Sequence, residues 1–245
     1  MDREHYYALM HGEGSLDYEL YLNTQALFEC QKKFDQFCNR DELQFQIIHQ
    51  VEELWMKLIA YTLLDIDEYV QQENTNRVVT LFRRVHLTLR MMTEQLGLLE
   101  TMSPKEYQEI RLQLGHGSGQ ESPGFRVLLK MVHPVWDSFK KAYLDKHGLT
   151  VEKIYDSEYA HSDAYVVAES LAEFDELFQK FRYHHLQLIH RSIGLGAKSL
   201  KGRSVELLED GLRMQFFPAL WDIRNCMTDK WGAQYGVKRD PIGEH

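Results

Sequence analysis

The chain has 245 residues, of which 44% are apolar and 27% are charged, and its net charge is −9. A chain of this size and composition forms one large domain, or two at most, around a substantial apolar core. The acidic balance argues against a nucleic-acid-binding protein, because such proteins usually present a basic surface to phosphates.

Cysteine usage and the lack of long apolar segments indicate the cellular setting. Cys30, Cys38 and Cys226 are too few and too scattered for a disulfide framework or a zinc module. The N-terminus has no apolar signal core, and no apolar run reaches the length of about 18 residues that a membrane span needs. We therefore expect a soluble cytoplasmic protein with neither membrane nor nucleic-acid partners.

The sequence of the first part of the chain predicts an N-terminal arm followed by helices. Residues 1–16 are polar and predict a mobile N-terminal arm, which leaves 17–245 as the helical domain. A helix of about 15 residues is expected after Asn23, a good N-cap. Apolar residues at helical spacing then predict a helix over 41–71 and another over 77–100.

The middle of the chain carries a strong helix start and a glycine-rich loop. Ser103-Pro104-Lys105-Glu106 combines a capping box with proline at the first helical position, and Gly115 can end that helix in the left-handed conformation. The loop 115–124 follows no predicted strand and lacks the Lys-Ser/Thr of a phosphate-binding loop. It therefore predicts a close approach of the backbone to a flat or bulky group.

The second half of the chain is also helical in pattern. Short helices interrupted at Pro134 and Gly148 are expected over 125–164, followed by a long helix over 165–194. A polar loop over 194–204 precedes a final helical pair that is split at Pro218. No alternating strand pattern of useful length occurs, so the sequence predicts an all-α fold: a single helical bundle with a pocket between its helices.

His185 interrupts an apolar stripe on the long helix. Phe174, Phe178, Phe181, His185 and Leu188 recur at spacings of four and three, and hence share one face. The common explanation is a core histidine that hydrogen-bonds to a neighbour. The alternative is an axial metal ligand, because a neutral imidazole in an aromatic wall is how a proximal haem ligand is held.

Two further pairs carry side chains that suit a polar ligand. His49 lies four residues after Phe45, which places an acceptor for a ring N–H beside an aromatic side chain; a surface pair of His49 with Glu52 or Glu53 is the common alternative. Tyr107 and Arg111 are likewise four apart and suit a carboxylate, although ordinary stacking on an exposed helix explains them equally.

Taken together, these segments resemble the tryptophan 2,3-dioxygenase family of histidine-ligated haem oxygenases. The resemblance covers residues 18–125 and about 168–224. The matching segments and residues are, in chain order, Tyr18–Leu22, Phe45–Leu58, Thr93–Gln95, Leu99–Tyr107, Arg111, Leu114–Gly115, Ser118–Gly119, Ser122, Arg182, His185, Arg191, Ile193–Gly194 and Phe216–Arg224.

The resemblance implies a cofactor site and a set of substrate contacts. His185 would ligate the iron of haem b, with Ser118 and Gly119 beside the cofactor. The side chains implied to contact the substrate are Phe45, His49, Tyr107, Arg111, Ser199, Tyr18, Tyr21 and Leu22. Among these, His49 would act catalytically by accepting the indole N–H, and Arg111 would pair with the amino-acid carboxylate.

The resemblance also implies an assembly and a reaction. Tyr18, Tyr21 and Leu22 would enter the pocket of a neighbouring subunit, which makes the protein a homo-oligomer and in this family a tetramer. L-Tryptophan, or a substituted indole amino acid, would react with dioxygen across its C2–C3 bond to give an N-formylkynurenine-type product, as in tryptophan catabolism.

Departures from the family pattern keep alternatives open. Lys198-Ser199-Leu200-Lys201 replaces a glycine-rich segment, Leu96 stands where a tryptophan is usual, Gln120-Glu121 replaces a Phe-Gln pair, and 125–165 is shorter. Related haem enzymes hydroxylate aromatic amino acids without ring cleavage, some with peroxide, and this remains an alternative. A non-enzymatic haem-binding protein or a helical scaffold without haem is also open.

Overall fold

The computed structural model describes residues 1–115, 117, 119–157, 160–196, 198 and 214–231. Its α-helices are α1 (Arg3–Met10), α2 (Asp17–Leu22), α3 (Thr24–Phe28), α4 (Glu42–Gln71), α5 (Thr75–Leu99), α6 (Pro104–Gln113), α7 (Pro123–Phe139), α8 (Val151–Tyr155), α9 (Asp163–Ile193) and α10 (Pro218–Trp231). Short 3-10 turns at Phe34–Gln36, Gly119–Glu121 and Asp145–His147, and a π-helical turn at Lys140–Leu144, connect them. The all-α prediction is confirmed for the described residues.

Helices α4, α5, α7 and α9 form the body of the bundle, with α5 packed between α4 and α9 and with α7 against α4. The Gln44 amide near the start of α4 donates to the Leu98 carbonyl at the end of α5, so these two helices are antiparallel. The core is made of side chains that are completely or almost completely buried, including Ile59, Leu63, Ile66, Leu81, Phe82, Val85, Leu89, Leu128, Phe139, Phe174, Phe178, Phe217 and Leu220.

The apolar spacing predicted the long helices well. Helix α4 covers nearly all of the expected 41–71, and α5 begins two residues before the expected start. The capping box at Ser103 is also confirmed: Ser103 Oγ accepts the Glu106 N–H, and Glu106 Oε2 accepts the Ser103 N–H at 3.0 Å. Gly115 has φ of +59°, as expected for the left-handed end of α6.

The helix expected after Asn23 is shorter than predicted. Asn23 has φ of +53° and ends α2, and α3 stops after Phe28. Side chains of α4 account for the irregular path that follows, because they accept backbone N–H groups that a helix would otherwise use. Gln46 Oε1 accepts the Lys32 N–H at 2.9 Å, and Glu42 Oε2 accepts the Cys38 N–H at 2.7 Å.

One further local prediction is wrong. Pro134 does not interrupt a helix, since α7 continues through it. The proline is exposed, and the core face of α7 is buried on both sides of it at Val132 and Val135, so packing offsets the one hydrogen bond lost on the solvent side. Residues 3–10 of the expected arm form α1, in which no residue is buried.

Asp175 anchors the C-terminal helix against α9. Its side chain is completely buried, and Oδ2 accepts the N–H groups of Phe216 at 2.8 Å and Phe217 at 3.1 Å and the indole N–H of Trp221 at 2.8 Å. Helix α10 begins at Pro218, where the final pair was predicted to split; the first member of that pair lies outside the described residues.

Candidate active site

Helix α9 presents an imidazole in an aromatic wall. The rings of Phe181 and His185 are stacked with centroids 6.4 Å apart and an interplanar angle of 19°. No described residue hydrogen-bonds to the ring of His185, and the residue as a whole is half-buried. Burial, followed by the nearby His49, lowers the pKa of His185 to about 4. The imidazole is therefore neutral at neutral pH and has a lone pair for a ligand bond.

His49 on α4 is the second imidazole of the site, and it is close enough to affect His185 electrostatically. Its Nδ1 lies 2.7 Å from the carbonyl oxygen of Phe45, a contact that assigns the proton to Nδ1 and the lone pair to Nε2. The Phe45 ring lies at 4.1 Å from the His49 ring between centroids. Burial lowers the pKa of His49, so this ring is also neutral at neutral pH.

Helix α6 adds a phenol and a guanidinium to the same region. The ring centroids of Tyr107 and Phe45 are 6.4 Å apart, which places α6 beside the His49 end of α4. Burial raises the pKa of Tyr107, and the charge of Arg111 opposes that rise. Arg111 Nη2 donates to the carbonyl of Lys198 at 2.6 Å, and no second hydrogen bond joins the guanidinium to a described residue.

The glycine-rich loop passes beside His185. A Cβ built on Gly119 would lie 3.8 Å from Cε1 and 3.9 Å from Nε2 of the imidazole, within van der Waals contact. The backbone of Gly119 therefore lies close to the Cε1–Nε2 edge of the ring, which is a close approach to a flat group of the kind predicted for this loop. Ser118 lies outside the described residues.

Some of the side chains expected to contact the substrate are not seen beside His49 and His185. Tyr18, Tyr21 and Leu22 are 72%, 89% and 44% exposed, so they point away from the interior of their own chain. Ser199 lies outside the described residues. The structure thus brings together His49, Phe45, Tyr107, Arg111, Gly119 and His185, whereas Tyr18, Tyr21 and Leu22 are exposed.

Glu52 and Glu53 lie beside His49 in sequence. The sequence indicates them only as surface partners of that histidine, whereas in the structure they make other contacts. Glu52 is only 7% exposed, and burial, partly offset by Gln95, raises its pKa to about 7. Glu53 Oε2 accepts the Gly124 N–H at 3.0 Å. The signal for Glu52 was its spacing, because it falls on the same face of α4 as the core residues Ile48, Met56 and Ile59.

Other features of the described residues do not compete with this site. A cavity of about 580 Å³ lies between α5, α9 and α10, but its cations Arg90 and Arg224 are already paired with Glu173 and Glu169. Among the described residues, no cluster of three or more His, Cys, Asp or Glu side chains is placed to hold a metal ion. No helix in the described part of the chain is long and apolar enough to cross a membrane.

Comparison with known proteins gives a consistent family. The family model described as tryptophan 2,3-dioxygenase matches residues 4–134. A relative from Myxococcus xanthus is 32% identical over 88% of this chain and 91% of its own length. A relative from Serratia proteamaculans is 28% identical over 85% and 92%, and one from Xanthomonas euvesicatoria is 27% identical over 88% and 89%. All three relatives are named tryptophan 2,3-dioxygenase.

Proposed function

The chain belongs to the tryptophan 2,3-dioxygenase family, and from this premise we propose that it is a haem-dependent oxygenase. It inserts both atoms of dioxygen across the C2–C3 bond of tryptophan, or of a substituted indole amino acid, and forms an N-formylkynurenine-type product. The observation that carries the proposal is the approach of two neutral imidazoles, His185 on α9 and His49 on α4, beside Tyr107 and Arg111 on α6.

The residues present fit a haem. His185 would hold the iron through a neutral imidazole, which has no hydrogen bond to any described residue. The backbone at Gly119 lies beside that imidazole, which suits contact with the edge of a flat macrocycle. We assign His185 as the iron ligand of haem b, with Ser118 and Gly119 beside the cofactor. When bound, the haem supplies the activation of dioxygen.

Arg111 and Tyr107 bind the carboxylate of the amino acid. A guanidinium matches a carboxylate with two parallel hydrogen bonds, and the phenol of Tyr107 adds a third donor. The bond from Arg111 to the Lys198 carbonyl fixes the direction of the guanidinium before substrate arrives. Ser199 lies outside the described residues, and its proposed contact with the ammonium and carboxylate rests on the family resemblance alone.

His49 orients the indole ring. Its Nδ1 proton is held by the Phe45 carbonyl, so Nε2 accepts the hydrogen bond of the indole N–H. The Phe45 ring packs against the substrate ring and excludes water from it. A bond at the indole nitrogen fixes the C2–C3 bond in one place, which is the contribution that orientation makes to catalysis.

The assembly and location follow from the same premise. Tyr18, Tyr21 and Leu22 are exposed in the single chain and contact the pocket of a neighbouring subunit in a homotetramer. Three unpaired cysteines, Cys30, Cys38 and Cys226, suit a reducing cytoplasm.

A second candidate is oxygenation of an aromatic amino acid without ring cleavage. The observation that favours it is Leu96, which is buried on α5 and offers only an apolar side chain where the family usually has a tryptophan. The loss of glycines at Lys198-Ser199-Leu200-Lys201 points the same way, because it changes the segment expected over the substrate.

One experiment tests the proposal and separates the candidates. The purified protein is loaded with haem, reduced and mixed with L-tryptophan and oxygenated buffer, and products are identified by mass. Incorporation of two oxygen atoms with ring opening supports dioxygenation, whereas a single added oxygen supports the second candidate. Absence of a Soret band after haem loading, or wild-type iron ligation in His185→Ala, would defeat both. Matched His190→Ala, on the same helix, controls for loss of a histidine from α9.

A further inference from the structure

Glu53 lies four residues after His49 on α4 and fastens this helix to the start of α7. Its Oε2 accepts the Gly124 N–H at 3.0 Å, where a carboxylate also meets the positive end of the helix dipole. The contact requires an unusually close approach of backbone to helix. A Cβ on Gly124 would lie 2.6 Å from the Cβ of Met56 and 2.9 Å from Oε2 of Glu53.

The start of α7 is in turn connected to the loop beside His185. Ser122 caps α7 by accepting the Phe125 N–H at 3.1 Å, and its own N–H donates to the Gly119 carbonyl at 3.1 Å. Gly119 is the residue whose backbone lies beside Nε2 of His185. Glu53 is thus connected with Gly119 by its bond to Gly124, by the backbone between Gly124 and Ser122, and by the bond from the Ser122 N–H to the Gly119 carbonyl. Gly119 in turn lies next to the imidazole.

We infer that Glu53 is a positioning residue, which holds the loop 119–122 against His185 and so sets how firmly the haem is retained. The inference rests on the proposed haem function. It adds a residue on α4, Glu53, that affects the binding of haem to His185 on α9. Glu53 acts through the Gly124 N–H, and it is not among the residues assigned to the haem or the substrate. Its charge also reaches His49, where it opposes the lowering of the pKa by burial. The role depends mainly on an oxygen acceptor at this position, which the charge strengthens, and this separates it from a general effect of removing a carboxylate.

Haem transfer from the loaded ferric protein to excess apomyoglobin tests the inference. Glu53→Ala removes the acceptor and is expected to release haem about tenfold faster, the effect of losing one charge-assisted hydrogen bond. Glu53→Gln keeps an acceptor, so its rate of haem release should stay within about threefold of the wild-type rate. Glu68→Ala, an exposed glutamate on the same helix, is the matched control and should not change the rate. Haem release from Glu53→Ala at the wild-type rate would overturn the inference.

Two further measurements cover misfolding and the dependence on haem. Gly124→Ala leaves Glu53 intact but places a methyl group against Met56, and it should also accelerate haem release. In the haem-free protein, amide exchange at Gly124 should quicken in Glu53→Ala but not in Glu53→Gln. Unchanged exchange at Gly124 in Glu53→Ala contradicts this inference even in a protein that binds haem. A wild-type protein that takes up no haem contradicts the proposed function instead.

Discussion

The Nδ1 atom of His49 lies 2.7 Å from the carbonyl oxygen of Phe45, one helical turn earlier on α4. A backbone carbonyl can only accept, so the neutral ring carries its proton on Nδ1 and its lone pair on Nε2. The helix itself therefore sets the tautomer of His49. This arrangement suits an acceptor for an indole N–H and gives a direct test of how the substrate is oriented.

His49→Ala should weaken tryptophan binding by about fivefold to tenfold, since one neutral hydrogen bond contributes about 1 kcal/mol. The loss should be specific to the indole N–H. Binding of 1-methyltryptophan, which has no such donor, should change little between wild type and variant. Titration of both ligands into the haem-loaded proteins by visible absorption checks this. An equal loss for the two ligands would show that His49 acts through packing alone.

Arg111→Ala should raise the dissociation constant for tryptophan by about 10-fold to 100-fold, because bonds to a charged group contribute about 1.5–3 kcal/mol. Tryptamine lacks the carboxylate, so its dissociation constant should be the same for wild type and Arg111→Ala. Arg126→Ala, at an exposed arginine on α7, is the matched control. If tryptophan binds equally well to wild type and Arg111→Ala, the carboxylate is recognised elsewhere.

Asp175→Ala should destabilise the fold by about 3–5 kcal/mol, the cost of leaving buried polar groups without their charged partner. Four donors lose an acceptor at once, namely the N–H groups of Phe216 and Phe217, the indole of Trp221 and the side-chain amide of Gln179. Glu176→Ala removes the adjacent exposed carboxylate and should cost much less. Urea unfolding followed by circular dichroism measures both. Equal midpoints for the two variants would show that Asp175 does not anchor α10.

Helix periodicity and capping chemistry were sufficient to predict the bundle helices. These signals are local. The apolar spacing on α4 and α5 and the capping box at Ser103 each depend on residues that are three or four positions apart in the sequence. Pro134 was a misleading signal. A proline inside a helix removes one backbone hydrogen bond, but burial of Val132 and Val135 offsets this loss, and the sequence alone does not show that burial.

The site was harder to predict than the helices because its contacts join distant segments. The apolar stripe singled out His185, but the stripe could not show that its ring lies beside Gly119 and near His49. Glu53 and Gly124 are 71 residues apart, and no local pattern indicates their hydrogen bond. The role of Asp175 in anchoring α10 could not be predicted for the same reason, since the first of the backbone N–H groups that it accepts is 41 residues later.

Glu52 gives a prediction about pH. Burial raises its pKa from 4.5 to about 7, so the folded chain keeps this proton up to about pH 7 while the unfolded chain releases it near pH 4.5. Unfolding between these values releases a proton, and the free energy of unfolding therefore falls as pH rises from 4.5 to 7 and stays constant above. The shift corresponds to about 3 kcal/mol, because one pKa unit is about 1.4 kcal/mol.

Glu52→Gln removes that ionisation while keeping the size of the side chain. We expect the variant and wild type to have similar unfolding free energies at pH 4.5, and the variant to be more stable by about 3 kcal/mol at pH 8. Glu94→Gln, at an exposed carboxylate on α5, should show no such pH-dependent difference. Urea unfolding at the two pH values supplies the measurement. A constant difference between Glu52→Gln and wild type at both pH values would mean that Glu52 ionises in the folded chain as it does in the unfolded one.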